Sequence, residues 1–201
     1  MKKVEYLDAV VAMLGEPTSR GASSEARTDL ERSLGFELPV DCMQILEWYG
    51  PVKVNDHLYL NHPATDRWNL GEWIRDTVKA WDAISWGDEI DGDPRPSLGL
   101  TEMKFGTSEG LTPVASTDRG ETIFLAKGAT GQGWRVFVED GEGEFFEYPI
   151  SFSEWLYRYL IGEDMAGPNS SVLYPGPVKF ESLPMRSGDE RVVSYGPDRN
   201  M

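Results

Sequence analysis

The chain has 201 residues, 40% hydrophobic and 11% aromatic, which is too apolar for a disordered chain and enough for one sizeable core. Its 34 acidic and 19 basic residues leave a net charge of −15, and 14 of the acids against 5 of the bases fall in the interval 82–147. A nucleic-acid binder needs a basic footprint and an anionic membrane repels such a field, so neither is expected as a partner; the negative field serves solubility or speeds encounter with a basic partner.

The first predicted element is an amphipathic helix over about residues 3–14, with Val4, Leu7, Val11 and Leu14 on one stripe. Lys2 and Lys3 before this stripe imitate a signal peptide, but Glu5 and Asp8 interrupt the apolar region and no small-residue cleavage site follows. No stretch approaches the roughly 20 apolar residues of a membrane span. A cytoplasmic location is expected, and the single cysteine, Cys42, agrees with a reducing compartment. After a turn-rich linker at Gly15, Pro17 and Gly21, Ser23 or Ser24 can cap a second helix with Ala26, Leu30 and Leu34 on one face.

Gly35 ends that helix, and Pro39 opens a third that Gly50 and Pro51 stop. Met43, Ile45, Leu46, Trp48 and Tyr49 make it apolar on more than one side, and Cys42 is expected there as a small buried thiol. Short extended pieces follow, Val52 and Val54 and then the run 58–60. Asn69 and Glu72 form a capping box before a helix carrying Leu70, Ile74, Val78 and Trp81. Trp68, Trp73, Trp81 and Trp86 crowd this region, and apolar core or a groove lid is the expected use.

Residues 88–94, Asp-Glu-Ile-Asp-Gly-Asp-Pro, form an acidic loop. Alternate carboxylates around a glycine imitate part of an EF-hand, but Gly99 and Leu100 stand where its bidentate Glu is needed, so no metal is expected. From residue 98 the chain reads as an antiparallel meander with strands near 111–116, 122–126, 134–139 and 144–148. The turns are at 118–120, in the glycine-rich run 128–133 and at 140–143. The glycine-rich run lacks the Lys and Ser/Thr of a phosphate loop and reads as a hairpin turn. Ser151 and Glu154 then cap a closing helix lined by Phe152, Trp155, Leu156, Tyr159 and Leu160. Together these elements define a single α+β domain over 1–162, an antiparallel meander packed with N-terminal helices and a closing C-terminal helix. Residues 163–201, rich in Pro, Gly and Ser without a sustained period, are expected to be an irregular extension that wraps the domain or is partly mobile.

Neither histidine, His57 nor His62, has the spacing or companions of a metal set, and both are expected to be solvated on the surface. No Gly-x-Ser-x-Gly elbow is present, and no carboxylate pair has a spacing that demands catalysis. A protein without catalytic residues or cofactor is expected.

Leu-Gly-Phe-Glu-Leu-Pro-Val-Asp at 34–41, with the apolar helix and Tyr49-Gly50 behind it, resembles the opening of the SUKH superfamily. Residues 111–115 with 118–125, and Ser-Phe-Ser-Glu-Trp-Leu at 151–156, are similar to later blocks of that pattern in the same order. This superfamily unites bacterial toxin-immunity proteins with fungal regulators of cell-wall synthesis. The resemblance implies an immunity protein that binds and neutralises a cognate toxin, a nuclease with a basic cleft, and the charge agrees with that. The partner-binding residues expected from local charge density are Asp88, Glu89, Asp91 and Asp93 with Glu139, Asp140, Glu142 and Glu144 at the hairpin tip. The alternative is a non-catalytic scaffold or regulatory interaction module, and a third reading is a small-molecule groove along Trp68 to Trp86.

Overall fold

A computed structural model describes residues 3–17, 24–129, 133–172 and 174–199. Six helices and eight strands are described: α1 (Lys3–Leu14), α2 (Ser24–Leu34), α3 (Val40–Tyr49), β1 (Val52–Val54), β2 (Leu58–Leu60), α4 (Leu70–Asp82), α5 (Arg95–Leu98), β3 (Thr112–Thr117), β4 (Thr122–Lys127), β5 (Trp134–Glu139), β6 (Phe145–Tyr148), α6 (Phe152–Leu160), β7 (Lys179–Ser182) and β8 (Val193–Tyr195). All strands join one antiparallel sheet in the order β6-β5-β4-β3-β2-β1-β7-β8. The fold class is α+β, as the order of sequence patterns predicts. Ser23, the middle of the glycine-rich run (130–132) and Leu173 lie outside the described residues. Among the described residues no helix is long and apolar enough to cross a membrane.

The central strands are covered on both faces, which is why they read as continuous apolar runs. Strand side chains alternate. Ile123 and Leu125 of β4, with Val136 and Val138 of β5, enter a core shared with α1, α3 and α6. Phe124, Ala126 and Phe137, between them in sequence, enter a second core with Leu98, Phe105, Leu111 and Phe145. Trp81 and Trp86 lie on that second core, stacked 5.5 Å apart, and Trp81 meets Phe124 edge-on at 5.2 Å. The helix α4 starts on the first core with Leu70 and Ile74 and reaches the second through Val78 and Trp81.

The caps predicted at Asn69 and Ser151 form: Asn69 Oδ1 accepts from the Glu72 N–H at 3.0 Å and Ser151 Oγ from the Glu154 N–H at 3.3 Å. The Asp41 carboxylate also serves the closing helix. Its Oδ2 accepts the Ser153 N–H at 2.9 Å, joining the start of α3 to the first turn of α6. Cys42 is fully buried, and burial, the largest influence, pushes its thiol well up.

The irregular extension is corrected. Residues 179–182 form β7, which pairs with β1 through Val52↔Ser182 and Val54↔Phe180, and β8 pairs with β7. Val178 is fully buried and Met165, Phe180 and Leu183 nearly so. Arg199 donates to the carbonyls of Gly176, Leu160 and Tyr174, and so satisfies the end of α6. The segment has no period of its own because the open edge of β1 supplies the pairing.

Candidate functional site

The two acidic stretches, separated by some fifty residues of chain, meet in the structure. The Phe145 N–H donates to the Asp91 carbonyl at 2.9 Å, docking the 88–93 loop on the β5–β6 hairpin. Gly92 permits this approach: its φ is +68°, and a Cβ there would lie 1.7 Å from the Phe145 carbonyl oxygen. Beneath the junction Trp86 and Phe145 have ring centroids 5.8 Å apart. The acidic loop is therefore docked by a backbone hydrogen bond over an aromatic floor.

The eight predicted acids divide into two groups. Asp88, Glu89, Asp91, Glu142 and Glu144 are exposed. Asp93 and Asp140 are half-buried and Glu139 is buried, and each accepts hydrogen bonds from within the protein. Asp93 accepts the Arg95 N–H at 2.9 Å and the Arg95 Nε at 3.0 Å. Partial burial pushes the Asp93 carboxyl up, but its bonds and charge pairing with Arg95 outweigh that and hold it below the usual range. Arg95 also donates to the Asp88 carbonyl at 2.9 Å, closing the loop on itself.

Glu139 is only 5% exposed and accepts the Gly143 N–H at 2.7 Å. Burial raises its carboxyl above the usual range, partly opposed by N–H donors of Gly143 and Gly141. Asp140 Oδ1 accepts from the N–H groups of Glu142 at 2.8 Å and Glu144 at 3.1 Å, an Asx turn that sets the hairpin tip. Sequence reasoning missed these roles because charge density does not distinguish a carboxylate that faces water from one that bonds its own turn. The Asp-x-Glu-x-Glu spacing at 140–144 carries the one available signal, since Asp commonly binds backbone N–H groups two residues on.

Beside the loop a shallow cleft of about 330 Å³ is bordered by Asp82, Ile84, Trp86, Asp88, Glu102 and Phe105, among others. Ile84 is 47% exposed, an apolar spot within carboxylates. The predicted tryptophan groove is dispersed: Trp68 stacks on Tyr59 at 6.4 Å, Trp73 packs on the first core, and Trp81 and Trp86 pack on the second.

Both histidines are buried, which corrects the solvated reading. His57 is 3% exposed and His62 8%. At the β1–β2 turn the His57 Nδ1 pairs with Asp118, its Nε2 lies 3.7 Å from Glu121 Oε2, and its ring stacks on Tyr159 at 6.1 Å. Lys53 Nζ, 3.4 Å from the other Asp118 oxygen, completes the group. Burial pushes the Asp118 carboxyl up, but His57 and Lys53 outweigh it and hold it low, whereas burial dominates at Glu121 and raises it. His62 has both nitrogens occupied: Nδ1 accepts from the Ala64 N–H at 3.0 Å and Nε2 meets the Glu47 carbonyl at 3.2 Å. Its missed burial has a legible cause in hindsight, since each histidine adjoins an apolar strand, β1 and β2 for His57 and β2 for His62. Among the described residues no group of three or more His, Cys, Asp or Glu side chains is arranged to hold a metal ion.

The turns of β1–β2, β3–β4 and β5–β6 share one end of the sheet, and Gly141 lies against the Arg119 carbonyl at that end. The β5–β6 tip at this end joins the docked loop in one carboxylate-rich surface, a geometry suited to binding a positive charge, whereas Asp56 and Asp118 on the other two turns are paired with Lys179, Lys53 and His57. No family model, no curated protein and no solved structure matched the chain.

Proposed function

We propose that this protein is a non-catalytic, cytoplasmic immunity protein of the SUKH type, which binds a cognate toxin, a nuclease with a basic cleft, and blocks it. The observation that carries the reading is the docking of the Asp91 carbonyl on the Phe145 N–H, which gathers Asp88, Glu89, Asp91, Glu142 and Glu144 into one exposed patch. Carboxylates held in a fixed array can occupy sites that a nuclease keeps for phosphates. The field of a −15 chain steers a basic partner toward it, and Ile84 offers an apolar contact inside the charged rim.

The test is co-expression with the C-terminal domain of whatever large secreted protein is encoded beside this one. Rescue of growth and a stable complex in a pull-down are expected. Neutralising the five exposed acids (Asp88→Asn, Glu89→Gln, Asp91→Asn, Glu142→Gln, Glu144→Gln) should slow association at low salt by about tenfold or more and flatten its salt dependence. Unaltered binding kinetics in that variant would remove the acidic patch from the interface. Absence of both rescue and complex would overturn the immunity reading in favour of a scaffold or regulatory module.

A further inference from the structure

The outer edge of β8 differs from the rest of the surface. No strand pairs with it among the described residues. Val192, Val193 and Tyr195 are 64%, 44% and 65% exposed, half of the exposed large hydrophobics described. The pairing with β7 fixes which backbone groups are open. Ser182 N–H donates to the Val192 carbonyl at 2.9 Å and Gly196 N–H to the Val178 carbonyl at 2.8 Å, while Ser194 is opposite Phe180. Antiparallel alternation then directs the N–H and C=O of Val192, Ser194 and Gly196 at β7, and those of Val193 and Tyr195 outward.

We infer that β8 pairs with β8 of a second copy, antiparallel about a two-fold axis at Ser194, so that two sheets continue as one. The register is self-complementary. Val193 opposes the partner subunit's Tyr195, and each such pair exchanges its N–H and C=O groups, so every outward group of the strand is satisfied. The same register sets a β-branched side chain across from an aromatic one, a favourable cross-strand pair. Registers centred on Val193 or Tyr195 leave outward groups of this short strand without a strand partner.

Charge selects a second copy as the occupant. Two chains of −15 repel over most of their surface. Residues 179–201, which carry β7 and β8, hold four basic residues (Lys179, Arg186, Arg191, Arg199) and four acidic ones (Glu181, Asp189, Glu190, Asp198), so this edge of the sheet carries no net charge, unlike the acidic β6 edge. A basic partner is drawn instead to the carboxylate surface beside β6, seven strand positions away and roughly 34 Å distant at a spacing of about 4.8 Å. The dimer leaves that surface clear on both copies, and the inference does not depend on the proposed function.

Sedimentation equilibrium of the full chain from about 10 μM to 1 mM tests the pairing. So short a strand predicts a dissociation constant on the order of 100 μM, tightening with salt as repulsion is screened. Val193→Pro removes an outward N–H without touching the β7 pairing and should weaken the dimer at least tenfold. Ser194→Cys supplies an independent readout. Residues opposite one another in a non-hydrogen-bonded pair have Cα atoms roughly 4.5 Å apart, within disulfide range, and the buried Cys42 does not compete. Under mild oxidation this variant should give a covalent dimer much faster than Glu142→Cys at the other edge. A single monomeric species across the concentration range, a dimer indifferent to Val193→Pro, open-ended assembly, or equal cross-linking of the two cysteine variants would each overturn the inference.

Discussion

Replacing Gly92 with alanine separates the contribution of loop docking from that of local backbone strain. At φ +68° an alanine costs about 1 kcal/mol on conformation alone. The added Cβ would stand 1.7 Å from the Phe145 carbonyl oxygen and 2.7 Å from its carbon, backbone atoms that no rotamer change can move. The loop must therefore lift, which breaks the 2.9 Å bond from the Phe145 N–H to the Asp91 carbonyl at about 1 kcal/mol and exposes part of the aromatic floor at about another. The sum is roughly 3 kcal/mol, or a fall in midpoint temperature of about 6–12 °C for a chain of this length. Gly188→Ala is the control, because its φ is +93° and nothing lies within 4 Å of the added carbon, so it bears the strain alone. Thermal and urea denaturation compare the two, and hydrogen exchange at the Phe145 amide reports undocking directly. Equal losses for both variants, with Phe145 still protected in Gly92→Ala, would refute the docking argument.

Two further perturbations probe the groups turned inward. Asp41→Ala leaves the buried Ser153 N–H without its 2.9 Å acceptor and should cost about 1–3 kcal/mol in urea denaturation, whereas Asp41→Asn keeps an oxygen there and should cost less than half as much; equal losses would remove the Asp41 bond from the account. Glu139 tests the sign of a pH effect. Burial raises its folded pKa above the unfolded carboxylate value, so the folded state binds the proton more tightly, and this stabilisation is complete below the unfolded value and declines as pH rises through the folded one. His62 acts oppositely, since burial depresses its folded pKa and stability is lost as pH falls below the unfolded imidazole value. Comparison with the parent cancels His62: Glu139→Gln, which keeps an acceptor for Gly143, should raise the urea midpoint more at pH 7.5 than at pH 5, and a uniform shift would contradict the assignment.

The helices and the meander were legible because their signals are local. Asn69 and Ser151 cap in place, Gly50 ends α3, and the turns at 118–120 and 140–143 separate the strands. The tail strands were not, since Lys-Phe-Glu-Ser at 179–182 has no strand signal strong enough to stand without β1 beside it. The histidines were misread for the same reason: His57 is buried by Asp118, Glu121 and Tyr159, which lie 61 or more residues away in the chain.

For the candidate site, composition located an acidic region and the register of tertiary contacts decided which acids face outward. Asp88, Glu89, Asp91, Glu142 and Glu144 differ from Asp93, Glu139 and Asp140 in no property of the residue itself. The difference arises from where N–H donors and Arg95 fall once the loop and hairpin have docked. Periodicity, caps and turn residues act over a few positions of chain, so the sequence by itself determined helices α1–α4 and α6, strands β1–β6 and their order. Burial of a charge, pairing of an edge and convergence of remote loops depend on partners brought close only by folding, and these the tertiary structure alone decided.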